Sequence, residues 1–293
     1  MGKASRRKRA SGATTIDPAQ NRAPFVARPF EGLADETEWV AMREIVPSAT
    51  AQVTVTLPDG TERDVTLATV LPGAMPALHR ADGEVLVALQ SRTSSGDASR
   101  DIAQALIAAV AAEPGTPVAT VRPATMGTPR LQDLIAAGQR LEPTVHEDFS
   151  FWVAQDEATP EVAAALEQTN DAAVPTVKIT ELPSAYWCKM GERTYIRWIL
   201  GDDEDAAVTT LARLQAVGEH TLGGDTVLLG AFRAAGLLVP VLEVPADTEA
   251  ADHVEALVAL QERYDAAKAK DDALTPGERR ARDGIISRQV TLR

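Results

Sequence analysis

The chain has 293 residues, of which 45% are hydrophobic and only 4% aromatic, and its net charge is −13. This length suffices for one large domain or two smaller ones, with a core filled mainly by Ala, Val and Leu. No apolar run reaches the roughly 18 residues that a membrane-spanning helix needs, so we expect no membrane partner. The single cysteine, Cys188, excludes an internal disulfide and indicates a cytoplasmic protein.

The charge is unevenly distributed along the chain. Residues 1–28 contain seven Lys or Arg and one Asp, a net charge of +6, so the remainder carries −19. Because residues 1–24 are basic and poor in core-forming side chains, we predict a disordered arm there. A basic arm on an acidic body is typical of contact with a polyanion, and the alternative is a solubilising terminus. The candidate nucleic-acid-binding residues of the arm are Lys3, Arg6, Arg7, Lys8 and Arg9.

Turn and helix-cap signals assign residues 25–173 to a first α+β half. Thr37 is placed to cap a helix over residues 38–46, which Pro47 ends. Two hairpins follow, because alternating apolar residues flank Pro-Asp-Gly at 58–60 and Ala-Asp-Gly at 81–83. Four further elements are predicted: a helix capped by Asp97 or Ser99, a helix from Thr128 and Pro129, a strand over residues 149–153, and a helix from Thr159 and Pro160.

Residues 174–248 form a second α+β half, and residues 249–293 a helical tail. A hairpin turns at Gly191, and Asp202 or Asp203 caps the helix that follows. Asp225 is placed to cap another helix over residues 227–235. The segment LLVPVLEV at 237–244 is a buried strand in which Pro240 favours an edge position or a bulge. The tail comprises a long helix over residues 249–269 and a last helix that opens with a Thr275–Glu278 capping box.

The two halves share a sequence pattern. ALHRADGE at 77–84 aligns without a gap on AYWCKMGE at 185–192, and LQDLIAAG at 131–138 aligns on LGAFRAAG at 229–236. Upstream of both, VTLATVLPGA at 65–74 parallels VKITELPSA at 177–185. Three similar stretches in the same order favour an internal duplication, in which each copy runs hairpin–helix–helix–strand–helix. The alternative is two unrelated α+β segments with similar turn residues.

The aromatic residues of the second half are concentrated in one stretch of thirteen residues: Tyr186, Trp187, Tyr195 and Trp198. Such side chains either pack across the hairpin or form an interaction surface, since Trp and Tyr are enriched at binding hot spots. Both interpretations remain open at this stage. We treat the four as interaction-surface candidates for a protein partner.

Residue types that carry catalysis do not form a recognisable set. Cys188 lies between Trp187 and Lys189, which indicates an inert buried thiol. The best local metal candidate, His146-Glu147-Asp148, is more simply a solvated strand edge, and the acidic run at 202–205 is more simply a helix cap. Neither a P-loop nor a GxGxxG motif follows a strand. We therefore expect no catalytic residue, no metal and no cofactor.

Several motifs resemble an uncharacterised protein family of high-GC Gram-positive bacteria. They are MGKASRRK, RPFEGLADETEWVAMREIVPSATA, GDASRDIAQALIAA with EPGTPV, TVHEDFSFW, AYWCKMGE and GAFRAAGLLVPVLEVP. The resemblance implies a soluble cytoplasmic bacterial protein without an established activity. Some family members carry labels such as preprotein translocase subunit or topoisomerase, which this chain has neither the P-loop nor the length to support.

These observations predict an α+β protein of two tandem pseudo-repeats, with a basic N-terminal arm and a helical C-terminal tail. The favoured function is a non-enzymatic binding or adaptor protein whose arm contacts nucleic acid or the ribosome. The alternative is an enzyme of unknown class with its site between the two pseudo-repeats, where a cleft naturally forms.

Overall fold

The computed structural model describes residues 22–92, 94–153, 166–167, 169–171 and 173–288. The predicted basic arm therefore lies almost wholly outside the described residues, as does most of the helix predicted from Thr159. Six helices are described: α1 Glu36–Glu44, α2 Ala98–Ala111, α3 Leu131–Leu134, α4 Glu204–Val217, α5 Val254–Lys268 and α6 Pro276–Ser287. Eleven strands are described: β1 Ala49–Thr56, β2 Glu62–Ala68, β3 Ala77–His79, β4 Val85–Ala88, β5 Thr116–Val118, β6 Thr144–Val145, β7 Thr176–Ile179, β8 Ala185–Met190, β9 Arg193–Trp198, β10 Val227–Ala234 and β11 Leu237–Val244.

The first sheet has six strands in the order β5-β3-β4-β2-β1-β6, and β2 and β4 are its one parallel pair. In β1, Val53 and Val55 are buried while Gln52 and Thr54 are exposed, so the period of two places one face on the core. Helices α1 and α2 contribute apolar side chains to this core, among them Trp39 and Leu106, both essentially inaccessible. The predicted α+β class is thus confirmed for this half.

The second sheet is antiparallel, with five strands in the order β10-β11-β9-β8-β7. One face packs against α4, α5 and α6, where Trp198 meets Tyr264 edge-on at 5.4 Å between ring centroids. Side chains of the other face, including Tyr186 and Val239, belong to the same buried cluster as Trp39 of the first half. The two halves therefore share a core, and the second sheet is covered on both faces.

Most local signals appear where they were predicted. The turn glycines Gly60, Gly83 and Gly191 all have positive φ, which a residue without a Cβ adopts most readily. Asp97 caps α2 by accepting hydrogen bonds from the backbone amides of residues 99 and 100 at 3.1 and 3.4 Å. Thr275 and Glu278 form the predicted capping box at the start of α6. The helical C-terminal tail is likewise present.

Two predicted elements are wrong. Residues 227–234 form strand β10 instead of a helix, and residues 149–153 contain a 3-10 turn, Ser150–Trp152, instead of a strand. The first error arises because the Ala235-Gly236 pair, interpreted as a helix end, is a two-residue hairpin turn with φ of 43° and 88°. Pairing with β11 across this turn overrides the helical spacing of the Leu and Ala residues.

Strand β11 is an inner strand, contrary to the edge position that Pro240 favours. Its ladder with β9 spans residues 241–244, and a separate Leu200–Leu238 bridge lies on the other side of Pro240. The missing N–H of Pro240 therefore falls between the two contacts, where the ladder does not need it. The neighbouring strand β10 carries a register shift between Leu228 and Gly230, close to Pro240.

The internal duplication is not confirmed. Both halves contain a hairpin followed by a 14-residue helix, α2 or α4. Downstream, however, the stretch at 131–138 begins as the four-residue helix α3, whereas its counterpart at 229–236 is a strand and a turn. The strand preceding each hairpin also differs, since β2 is parallel to β4 and β7 is antiparallel to β8.

Candidate functional site

A buried carboxylate, that of Glu38 on α1, lies between the two halves and is only 6% exposed. The Tyr186 hydroxyl donates to its Oε2 at 2.5 Å, and the Ser184 amide donates to its Oε1 at 3.1 Å. The ammonium of Lys178 lies 2.9 Å from the same Oε1. Three donors from the second half therefore converge on one acceptor of the first half.

Strand register and one unusual backbone conformation place these donors. Lys178 and Tyr186 are direct partners across β7 and β8, so both side chains point to the α1 side of the sheet. Ser184, just before β8, is fully buried with a positive φ of 52°, a conformation that costs about 1–3 kcal/mol for a non-glycine residue. Its hydroxyl donates to the Thr37 hydroxyl at 2.7 Å, which ties the strained turn to α1.

This Glu38 cluster is suited to joining the halves. Burial, and then the nearby charge of Glu38, raise the pKa of the Tyr186 hydroxyl far above its ordinary value, so it stays a phenol that donates. All three donors are engaged by the carboxylate, and Lys178 alone among them reaches solvent, with 21% of its side chain exposed. Three cavities lined by described residues lie elsewhere, two beside α2 and one between α4 and α6.

The four aromatic candidates do not form one surface. Tyr186, Trp187 and Trp198 are 0%, 5% and 3% exposed, so the interaction-surface interpretation is wrong for them and the core interpretation holds. The reason is that both faces of the second sheet are covered. Only Tyr195 is partly exposed; the Arg193 guanidinium lies over its ring at 5.7 Å from the centroid. Arg193 in turn forms a bidentate pair with Glu243 at 2.7 and 2.8 Å.

Cys188 faces the interface between the halves as a free thiol and is 1% exposed. Burial raises its pKa, and the positive charge of Arg197 opposes this only in part. A protonated, inaccessible thiol is a poor nucleophile, because the thiolate is the reactive form.

We expect Cys188 in the native protein to react with a disulfide reagent at least about 100-fold more slowly than in the unfolded chain, since reaction requires opening of the interface. The measurement is the release of the coloured thiolate of Ellman's reagent, with and without denaturing urea. Equal rates in the two conditions would contradict the buried placement.

His146 and the acidic run have structural partners. The His146 ring lies 5.0 Å from the ring of Phe151, tilted by 32°, and its Nε2 lies 2.8 Å from the Thr50 hydroxyl; burial lowers the pKa of His146. Within the described residues, no group of three or more His, Cys, Asp or Glu is arranged to hold a metal ion. Asp203 occupies the cap position of α4 but makes no side-chain cap there; it pairs with Arg28 at 2.6 Å.

Residues 202–205 therefore connect α4 to other segments more than they cap its N-terminus. Asp202 accepts from the Tyr264 hydroxyl of α5 at 2.9 Å, and Asp205 pairs with Arg282 of α6. The acidic run thus ties α4 to both tail helices and, through Arg28, to the N-terminal segment. Helix-cap reasoning does not predict these contacts, because the partners of Asp202, Asp203 and Asp205 lie more than sixty residues away in the chain.

A family model described as "Family of unknown function (DUF5926)" matches residues 29–293. The chain belongs to this family. The resemblance to a family without an established activity is thereby confirmed. No curated protein and no solved structure matches the chain. No helix in the described part of this DUF5926 member has the length and apolar character needed to cross a membrane.

Proposed function

We propose that this DUF5926 member is a binding or adaptor protein that contacts nucleic acid or the ribosome through its basic N-terminal arm. The observation that carries the proposal is the segregation of charge, with +6 in residues 1–28 and −19 in the rest. An acidic body repels a polyanion, so the arm is the part of the chain to which phosphates are attracted. Because the single cysteine is a free thiol, we place this activity in the bacterial cytoplasm.

The residues that follow the arm belong to the folded body, where a basic side chain can already be paired with a carboxylate. The backbone of Arg22 forms an antiparallel bridge with Thr125, and the Val26 amide donates to the Gly96 carbonyl at 2.9 Å. Arg28 is committed to Glu36 and Asp203, and the hydrogen bond to Glu36 raises its pKa. Arg28 is thus already paired within the body, and we propose that the charges that contact a phosphate backbone are those of Lys3, Arg6, Arg7, Lys8 and Arg9, which precede the folded body in the chain.

Replacing these five residues by Gln is expected to weaken RNA binding by roughly 100-fold at ~50 mM salt and to reduce the slope of log K against log salt by about 3.5, because each phosphate contact to a single strand contributes roughly 0.7. Fluorescence anisotropy with a labelled single-stranded RNA measures this, and co-sedimentation measures ribosome association. The matched control removes five charges that are exposed on the body: Arg63, Arg122, Lys189, Lys270 and Arg280.

The control variant has the same net charge as the arm variant, so any difference between them is due to the position of the charges. We expect the control to bind within about twofold of the parent. Its five substituted residues lie on the folded body, which we expect to make no phosphate contacts and so to release no counterions from the RNA. Equal binding by the parent and the arm variant, or equal weakening in both variants, would refute the proposal.

The second candidate, an enzyme acting between the halves, is favoured by one observation. A strained Ser184, a lysine and a tyrosine converge there on Glu38, and strain of this kind occurs at functional sites. A catalytic role would require one of the three donors to leave Glu38 when a substrate binds. Of the three, only Lys178 is accessible to solvent. The binding function needs no such rearrangement, and we prefer it for that reason.

A further inference from the structure

An open cleft of about 520 Å³ lies between helices α4 and α6 and is also lined by residues 272–274. This volume is within the range of sites for small molecules, roughly 300–1,000 Å³. The helices run antiparallel here, because Asp205 at the start of α4 pairs with the second half of α6, whereas Arg213 near the end of α4 lies close to the start of α6. Side chains one turn apart on each helix therefore face each other across the cleft.

Three guanidinium groups line this cleft, those of Arg213 on α4 and of Arg279 and Arg282 on α6. Arg213 forms the floor with a side chain only 8% exposed, and it donates to the Asp272 carbonyl at 2.5 Å. Arg279 donates to the Leu274 carbonyl, another neutral acceptor. Since a guanidinium has five N–H donors, both groups keep donors that these carbonyls do not use.

The carboxylates around the cleft neutralise these charges incompletely. Glu278 lies 3.8 Å from Arg213, but its other oxygen accepts the Thr275 amide of the capping box at 2.6 Å. The pKa of Glu278 is lowered first by this capping and further by the charges of Arg213 and Lys270. Asp205, the partner of Arg282, is 82% exposed, and an ion pair so accessible to solvent has little stabilising energy.

We propose that the cleft binds a small multivalent oxyanion, a metabolite bearing phosphate or carboxylate groups, held by Arg279 and Arg282 above Arg213. The planar, forked guanidinium groups match such oxygens in a bidentate manner. The exposed Asp205, Asp272 and Asp283 at the mouth disfavour an extended polyanion, so this site is distinct from the one proposed for the arm.

Isothermal titration of the full chain with inorganic pyrophosphate and, separately, with citrate tests the proposal. We expect saturable binding of at least one anion, and the anion that binds shows whether phosphate or carboxylate is the preferred group. The double variant R279Q/R282Q is expected to bind roughly 100-fold more weakly, about tenfold for each guanidinium that is removed from the anion. The matched control R280Q, on the same helix but outside the cleft, should bind within about twofold of the parent.

Two further variants keep the test decisive. R279Q alone removes a side chain whose hydrogen bond is to one exposed loop carbonyl, so it remains folded and should bind about tenfold more weakly. The variant with Gln at the five basic arm positions should bind the anion as the parent does. Absence of saturable binding to either anion, undiminished binding by R279Q/R282Q, or abolished binding in the arm variant would each overturn the proposal.

Discussion

Replacing Glu38 by Ala is expected to lower the free energy of unfolding by about 3–5 kcal/mol, the cost typical of removing one partner of a buried ion pair. The substitution leaves the Tyr186 hydroxyl and the Ser184 amide without an acceptor in a fully buried interface, and it leaves Lys178 without its counter-charge. Urea unfolding followed by tryptophan fluorescence measures the decrease, since Trp39 lies next to the substitution and Trp187 and Trp198 lie in the second sheet.

The variant Y186F provides the control for this prediction. It removes one hydrogen bond and keeps the carboxylate paired with Lys178, so we expect a decrease of about 1–1.5 kcal/mol. The double variant E38A/Y186F should be more stable than the sum of the two decreases predicts, by about 1 kcal/mol, because the unpaired hydroxyl is gone. An E38A protein within about 1 kcal/mol of the parent would show that the cluster does not join the halves.

Replacing Gly236 by Ala is expected to cost about 3 kcal/mol, from two separable causes. Gly236 lies in the β10–β11 turn at φ +88°, a conformation that a residue with a Cβ adopts at a cost. An added Cβ would also lie 2.8 Å from the Ala27 carbonyl oxygen and 2.8 Å from the Arg28 Cβ. The N-terminal segment would then have to leave the turn on which it rests.

A matched substitution separates the two causes. Gly83 has φ +91°, and nothing lies within 4 Å of the position of its Cβ, so G83A reports the backbone cost alone, about 1 kcal/mol. The difference between the two variants in thermal or urea unfolding then measures the contact with Ala27 and Arg28. Equal destabilisation would mean that residues 27–28 do not pack against the turn.

Local signals in the sequence suffice for much of the fold. The Pro-Asp-Gly turn at 58–60, the cap at Asp97 and the box at Thr275 each require a particular residue type within four positions, so they can be identified without knowledge of the fold. Residues 227–235 could not be assigned in this way. Their Leu and Ala residues suit a helix as well as a strand, and pairing with β11 decides between the two.

The Glu38 cluster cannot be predicted from local sequence signals. Glu38 meets Ser184 and Tyr186 across 146 and 148 residues of chain, and a glutamate in the first turn of a helix has an adequate local explanation in the helix dipole. The aromatic residues are a similar case. Whether Trp187 and Trp198 face solvent depends on α4–α6 and on the first half covering the sheet, which residues 185–198 do not encode.

The segment from residue 22 to residue 30 has a consequence for synthesis of the protein on the ribosome. It emerges first, yet Arg28 binds the Gly201 carbonyl and Asp203, which follow 173 and 175 residues later, and it rests against Gly236. At typical elongation rates of about 5–20 residues per second, these partners appear roughly 10–40 s afterwards. During that interval the apolar surface of the nascent first half stays exposed. It can dock against the second half only after the last strands have been translated.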